Sequence, residues 1–288
     1  MRSFVLPGLS LLATLIIVPG GSFEPHGQSS LKSGQVEVSF NPSAETFALH
    51  EPIVVLFSVH NGLASPIIIT LGAQKRQFFQ FYLTPPKGEV LQSSFPPPGQ
   101  VDVVTFGPGT QEIAPGADYK QRLVINQWFS FPVKGVYSLK GQLTSEIAAN
   151  GAGSLFTPAQ TIPIRIGDKN SVILEKTCSE LTKRVENGLS VEEWEEPALE
   201  LSYIDDPIAV KYMAQVLSTH KGAENLIVPG LERIGDDSAI EVLLSSLNDA
   251  SGDMSMLSRR ALTRLQPRIS DSYLKETVQR ALATSSND

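Results

Sequence analysis

One cysteine, four histidines and two tryptophans in 288 residues leave little material for several kinds of chemistry. A lone Cys178 excludes any disulfide within the chain, so the fold must stand on packing alone. Leu174, Cys178, Leu181 and Val185 share one helical face, which reads as a small core residue rather than a reactive thiol. The histidines make a poor metal set. His50 and His60 flank one candidate strand and would sit about 30 Å apart at the usual rise, too far for one ion. His26 falls in an N-terminal tail, and His220, before a Lys-Gly loop, reads as a surface residue.

Basic residues are also few. Lys and Arg number 23 against 30 Asp and Glu, giving a net charge of −7, and phosphate binding needs a basic surface, so a general nucleic-acid partner is excluded. There is no G-x-S-x-G, no phosphate-binding loop and no dinucleotide fingerprint. Asp205-Asp206 and Asp236-Asp237 are paired carboxylates, but they recur at the same place in a repeat and read as helix caps. With no catalytic constellation, the expectation is a non-enzymatic protein without cofactor or metal. No Asn-x-Ser/Thr glycosylation acceptor occurs. Beyond the N-terminus no apolar run approaches the roughly 20 residues of a membrane span.

What is present begins with a leader. Residues 1–22 run from Arg2 through the apolar Leu9–Val18 to Pro19, Gly20, Gly21 and Ser22. A positive start, a short apolar core and small residues at its end are the pattern of a secretory signal peptide. The mature chain is expected in the periplasm or secreted, with no membrane insertion after cleavage, and 23–34 is expected as a flexible tail.

From 35 to 168 the hydrophobic period is two. Val36, Val38 and Phe40 alternate with other residues, as do Ile53, Val55, Phe57 and Val59. Phe79-Phe81-Leu83, Val101-Val103, Leu123-Ile125, Tyr137-Leu139 and Ile162-Ile164-Ile166 continue the pattern, which marks half-buried strands. Asn61-Gly62 suits a tight turn, and the Pro- and Gly-rich segment 84–116 suits long loops at one end. Glu51-Pro52-Ile53 through Asn61, and Ala114-Pro115-Gly116 through Gly135-x-Tyr137-x-Leu139, resemble the strands of immunoglobulin-like β-sandwiches in bacterial exported proteins.

After Asp168 the period becomes helical, and about seven helices fit. Asn170 or Ser171 can cap the first, which ends near Gly188; Ser190 with Glu193 forms a capping-box pattern. Asp206-Pro207, Asp236 or Asp237, Asp253 and Ser270 offer later starts. Ile204-Asp205-Asp206-Pro207-Ile208-Ala209-Val210 recurs 30 residues on as Ile234-Gly235-Asp236-Asp237-Ser238-Ala239-Ile240. This turn resembles that of short, roughly 30-residue bacterial HEAT repeats. The resemblance covers 170–284 and implies a scaffold that binds other proteins. The expected fold is thus multidomain β + α: an immunoglobulin-like β-sandwich over 35–168, then a short HEAT-like α-solenoid over 170–284.

Most of the acidic surplus falls after residue 168, and no Lys or Arg occurs between Arg184 and Lys211. Glu192, Glu193, Trp194, Glu195 and Glu196 form an acidic-aromatic stretch, either a solvated helix start or a contact patch for a basic partner segment. Arg259, Arg260, Arg264 and Arg268 read as ordinary surface charges. The expected function is extracytoplasmic protein binding through the helical groove and sandwich loops. Two alternatives are a protease inhibitor using the 84–116 loops, and a carbohydrate- or envelope-binding module using Phe106 and Trp128. Trp128, Phe129 and Phe131 are more simply read as core and edge residues.

Overall fold

Alternating burial carries the first half of the chain into strands. Phe57 and Val59 are fully buried, while the alternate residues Ser58 and His60 are only half-buried. The computed structural model describes residues 35–71, 78–93, 109–149, 153–155, 159–248 and 252–284. The expected 1–22 leader and 23–34 tail, Val101-Val103 and Phe106 lie outside these residues.

Three antiparallel sheets form. The first joins β1 (Val36–Pro42), β2 (Val54–Asn61) and β7 (Asp118–Val124), with Phe40 opposite Phe57 and Val59 opposite Tyr119. The second runs β10 (Gly153–Leu155), β9 (Ile147–Ala149), β3 (Ile67–Thr70), β6 (Thr110–Ile113). The third runs β11 (Gln160–Ile166), β8 (Gly135–Leu143), β4 (Phe79–Thr84), β5 (Leu91–Gln92). Their apolar faces share one core. Phe40 and Phe57 of the first sheet meet Phe79 and Phe81 of the third edge-on, with Phe57 and Phe79 centroids 4.9 Å apart, an arrangement the ring quadrupoles favour.

Three sequence expectations need correction here. Asn61-Gly62 does not make a hairpin turn: it ends β2, and the chain then crosses to β3 in another sheet. The buried Asn61 amide donates to the Ser65 and Ile113 carbonyls and accepts from Leu63 N, so every contact holds the crossover in place. Gly62 is needed because a Cβ there would lie 2.4 Å from the Gln35 carbonyl oxygen. The segment 84–116 is not only loop. It includes β5 and β6, whose side chains are exposed except Ile113, so no alternation marks them. Ile125 does not extend β7; it opens a 3-10 turn, Ile125–Gln127. The strand β3 was missed because Ile67-Ile68-Ile69 is an unbroken apolar run without period two.

The helices are α1 (Ser171–Asn187), α2 (Val191–Ser202), α3 (Val210–Thr219), α4 (Glu224–Ile234), α5 (Asp237–Ser245), α6 (Gly252–Leu265) and α7 (Ser272–Thr284). Side-chain oxygens start several of them. Asn170 Oδ1 accepts from Val172 N and Ile173 N at 3.1 Å. Asp206 Oδ1 accepts from Ile208 N in a 3-10 turn that leads into α3, and Asp236 Oδ1 from Ala239 N. One aspartate of each pair, Asp206 and Asp236, therefore acts as a cap. At α7 the capping carboxylate is Asp271, bonded to Leu274 N at 2.7 Å, rather than Ser270. The expected capping box is incomplete: the Ser190 hydroxyl makes no cap bond, and the Glu193 carboxylate accepts from Leu189 N instead.

The helices lie in two rows. In one, α1 contacts α3, α3 contacts α5 and α5 contacts α7; in the other, α2 contacts α4 and α4 contacts α6. Consecutive helices pair across the rows and enclose a second apolar core that includes Leu174, Leu201, Met213, Leu231, Leu243 and Leu262. Gly230 lets α4 come close to α2, since a Cβ there would meet the Ser202 carbonyl at 2.7 Å. Strands and helices belong to one compact unit with two apolar cores.

Candidate protein-binding surface

The acidic run on α2 divides by helical geometry. Glu196 and Glu200, four residues apart, share one face, and that face meets strand β7. Arg122 of β7 donates from Nε and Nη2 to the two Glu200 oxygens at 2.9 and 3.1 Å, and its Nε lies 3.0 Å from Glu196. Arg184 of α1 adds contacts of 3.3 Å to Glu196 and 3.9 Å to Glu200. The Glu200 side chain is 5% exposed. Two carboxylates and two guanidiniums thus form a charge-balanced network in which only Glu200 is buried and the other three side chains remain partly exposed. Burial, reinforced by Glu200, pushes Glu196 above the ordinary carboxylate range despite both arginines. Burial pulls Arg122 down, but its bonds to Glu200 and the nearby Glu196 outweigh this and leave it raised.

Trp194 is half-buried against the helical core. Its ring lies 5.9 Å from that of His220, in the α3–α4 connection. It therefore ties the first helix pair to the second. His220, expected on the surface, is half-buried for the same reason. Glu193 and Glu195 are exposed, although Glu193 also holds the α1–α2 turn through Leu189 N. Glu192 belongs to α2; its side chain lies outside the described residues.

Two apolar residues that sequence reading missed complete this edge. Leu189 is 96% exposed and Val191 is also exposed, both at the α1–α2 turn beside Glu193. No periodicity could flag them, because they stand in a turn and at a helix start. Leu189, Val191, Glu193 and Glu195 make a small apolar patch with an acidic border, a surface suited to a basic, amphipathic segment.

Of the aromatics in the carbohydrate-binding alternative, Phe106 lies outside the described residues and Trp128 is half-buried. Phe129 and Phe131 are buried, and Trp128 sets its ring edge-to-face 4.9 Å from Phe81. Cys178 is fully buried, and burial pushes its thiol up to about 12, so it is no nucleophile near neutrality. His60 Nδ1 bonds Asp118 Oδ1 at 2.7 Å, a contact that holds the exposed Asp118 below its usual range. Among the described residues no three His, Cys, Asp or Glu converge as metal ligands would, and no helix is long and apolar enough to cross a membrane.

Neither a family model nor a curated protein matches this chain. Several solved structures give distant likenesses. A Bordetella pertussis protein assigned the name ApaA is 11% identical over 46% of this chain and 92% of its own, with a TM-score of 0.28. A β-glucosidase from Listeria innocua in complex with glucose is 10% identical over 47% of this chain and 16% of its own, at 0.25. A fragment of native alpha-2-macroglobulin from Escherichia coli, from domain MG7 to the C-terminus, is 10% identical over 88% of this chain and 55% of its own, at 0.27. Likenesses at these TM-scores carry no argument about fold or function.

Proposed function

We propose that this chain is an exported, non-enzymatic protein-binding or scaffold protein, built as an immunoglobulin-like β-sandwich followed by a short HEAT-like helical repeat. The leader pattern at 1–22 supports export. The two helical rows, with Asp206 and Asp236 capping equivalent turns, support the repeat reading. The observation that carries the binding role is the almost fully exposed Leu189, set beside Val191, Glu193 and Glu195. An apolar side chain so exposed between carboxylates fits a partner segment that brings both apolar surface and positive charge.

The test is selection of a displayed random-peptide library on the mature chain, followed by affinity measurement at low and high salt. Basic, amphipathic peptides are expected to be enriched, to bind more weakly in high salt, and to lose about tenfold or more in affinity on the Leu189→Ser, Glu195→Gln double variant. Peptides that bind the variant and the parent equally would remove this surface from the proposal.

A further inference from the structure

Where the strands meet the helices, a cavity of about 250 Å³ opens between the two apolar cores. Its floor is apolar, with the buried Ile53, Phe129, Phe131 and Ile166. At its rim stand two exposed residues of opposite charge, Arg233 from α4 and Asp205 from the turn after α2. They form no direct ion pair, but the Asp205 charge acts on the Arg233 guanidinium through space. Among the described residues Arg233 has no carboxylate within ion-pair distance; it stacks 4.1 Å over the Tyr203 ring, and Nη2 donates to the Ser202 carbonyl. That single bond orients the guanidinium and leaves donors on Nε and Nη1 free. The Asp205 carboxylate makes no side-chain hydrogen bond among the described residues, while its backbone N–H is fixed to the His50 carbonyl at 3.3 Å. His50, which also lines the cavity, has a φ of 74°, the one positive φ at a non-glycine residue among those described. Such backbone is tolerated where its surroundings impose it, and here it delivers the carbonyl that holds Asp205.

Ligand sites favour domain junctions, apolar walls and a few fixed polar groups. This cavity lies where strands meet helices, has an apolar floor and one oriented guanidinium, but it is smaller than the roughly 300–1,000 Å³ of drug-sized sites. Two opposite charges that attract each other without a direct ion pair, over an apolar floor, suit a small zwitterion with an apolar body. We propose that the cavity binds a free α-amino acid with an apolar side chain. Its carboxylate meets Arg233, its ammonium meets Asp205, and its side chain lies against Phe129, Phe131 and Pro132. The site is separate from the Leu189 patch, so either proposal can fail without the other.

Calorimetric titration of the mature chain with L-phenylalanine tests this, with N-acetyl-L-phenylalanine lacking the ammonium and phenethylamine lacking the carboxylate. L-phenylalanine is expected to bind saturably, with each analogue weaker by about tenfold or more, since each loses a charge-assisted hydrogen bond. Asp205→Asn should weaken L-phenylalanine but not N-acetyl-L-phenylalanine, which has no ammonium. Arg233→Gln should weaken L-phenylalanine but not phenethylamine. The analogue comparison needs no variant and so survives a misfolded one. No saturable heat with L-phenylalanine up to about 10 mM, a concentration that covers even weak sites, would overturn the proposal. So would an analogue that binds as tightly as the amino acid, because one of the two charges would then be idle.

Discussion

Arg122 and Glu200 stand 78 residues apart in the chain and form a two-pronged ion pair that joins strand β7 to helix α2. Glu200 is buried, whereas Arg122 keeps about a third of its side chain exposed. Arg122→Ala would leave Glu200 buried with only the longer Arg184 contact. The expected loss of unfolding free energy is about 2 kcal/mol, below that of a fully buried pair, measured by urea denaturation at neutral pH. An unchanged midpoint would show that Arg184 alone compensates Glu200.

Glu196, in the same network, behaves differently. Burial first, and then the Glu200 charge, raise its pKa. A carboxyl raised in the folded state adds stability below its unfolded value, and that contribution is lost as pH rises through the folded value. Glu196→Gln is therefore expected to equal or exceed the parent in Tm near neutrality, with its advantage disappearing in acid. A variant clearly less stable at neutral pH would show that the ion pairs outweigh burial.

Caps separate two kinds of helix start. Asn170→Ala and Asp236→Ala each remove a side-chain bond to helical N–H groups and should cost about 1 kcal/mol. Ser190→Ala removes no such bond and should leave the thermal midpoint nearly unchanged. A loss at Ser190 equal to that at Asn170 would contradict the cap geometry.

Trp194 and Leu189 are close in sequence but differ in role. Trp194 contacts the helical core and His220, so Trp194→Ala is expected to destabilise by about 2 kcal/mol, less than a fully buried tryptophan would. Leu189→Ser exposes nothing new and should not change Tm. Equal midpoints for both variants would make Trp194 a surface residue.

The Cys178 thiol is fully buried, with its pKa pushed up to about 12. In the native protein it should resist a thiol-specific reagent at neutral pH and react once denaturant is added. Rapid modification without denaturant would show that α1 opens locally.

Much of the backbone follows from sequence alone. Period two in β1, β2, β4, β8 and β11, and side-chain caps at Asn170, Asp206 and Asp236, are local physics, set by neighbours within a few residues. A mixed β and α composition, with the change of period near Asp168, follows from the same local patterns. Strands without alternation escaped: β3 has apolar residues on both faces, and β5 and β6 are almost wholly exposed. Tertiary structure decided what the polar residues do. The glutamates of α2 look alike in sequence, but only packing against Arg122 and Arg184 turns Glu196 and Glu200 inward and leaves Glu193 and Glu195 in water. Arg233 and Asp205 share a cavity rim for the same reason. A charge finds its partner in space, across separations that no sequence period encodes, and the cost of burying it unpaired makes that choice matter.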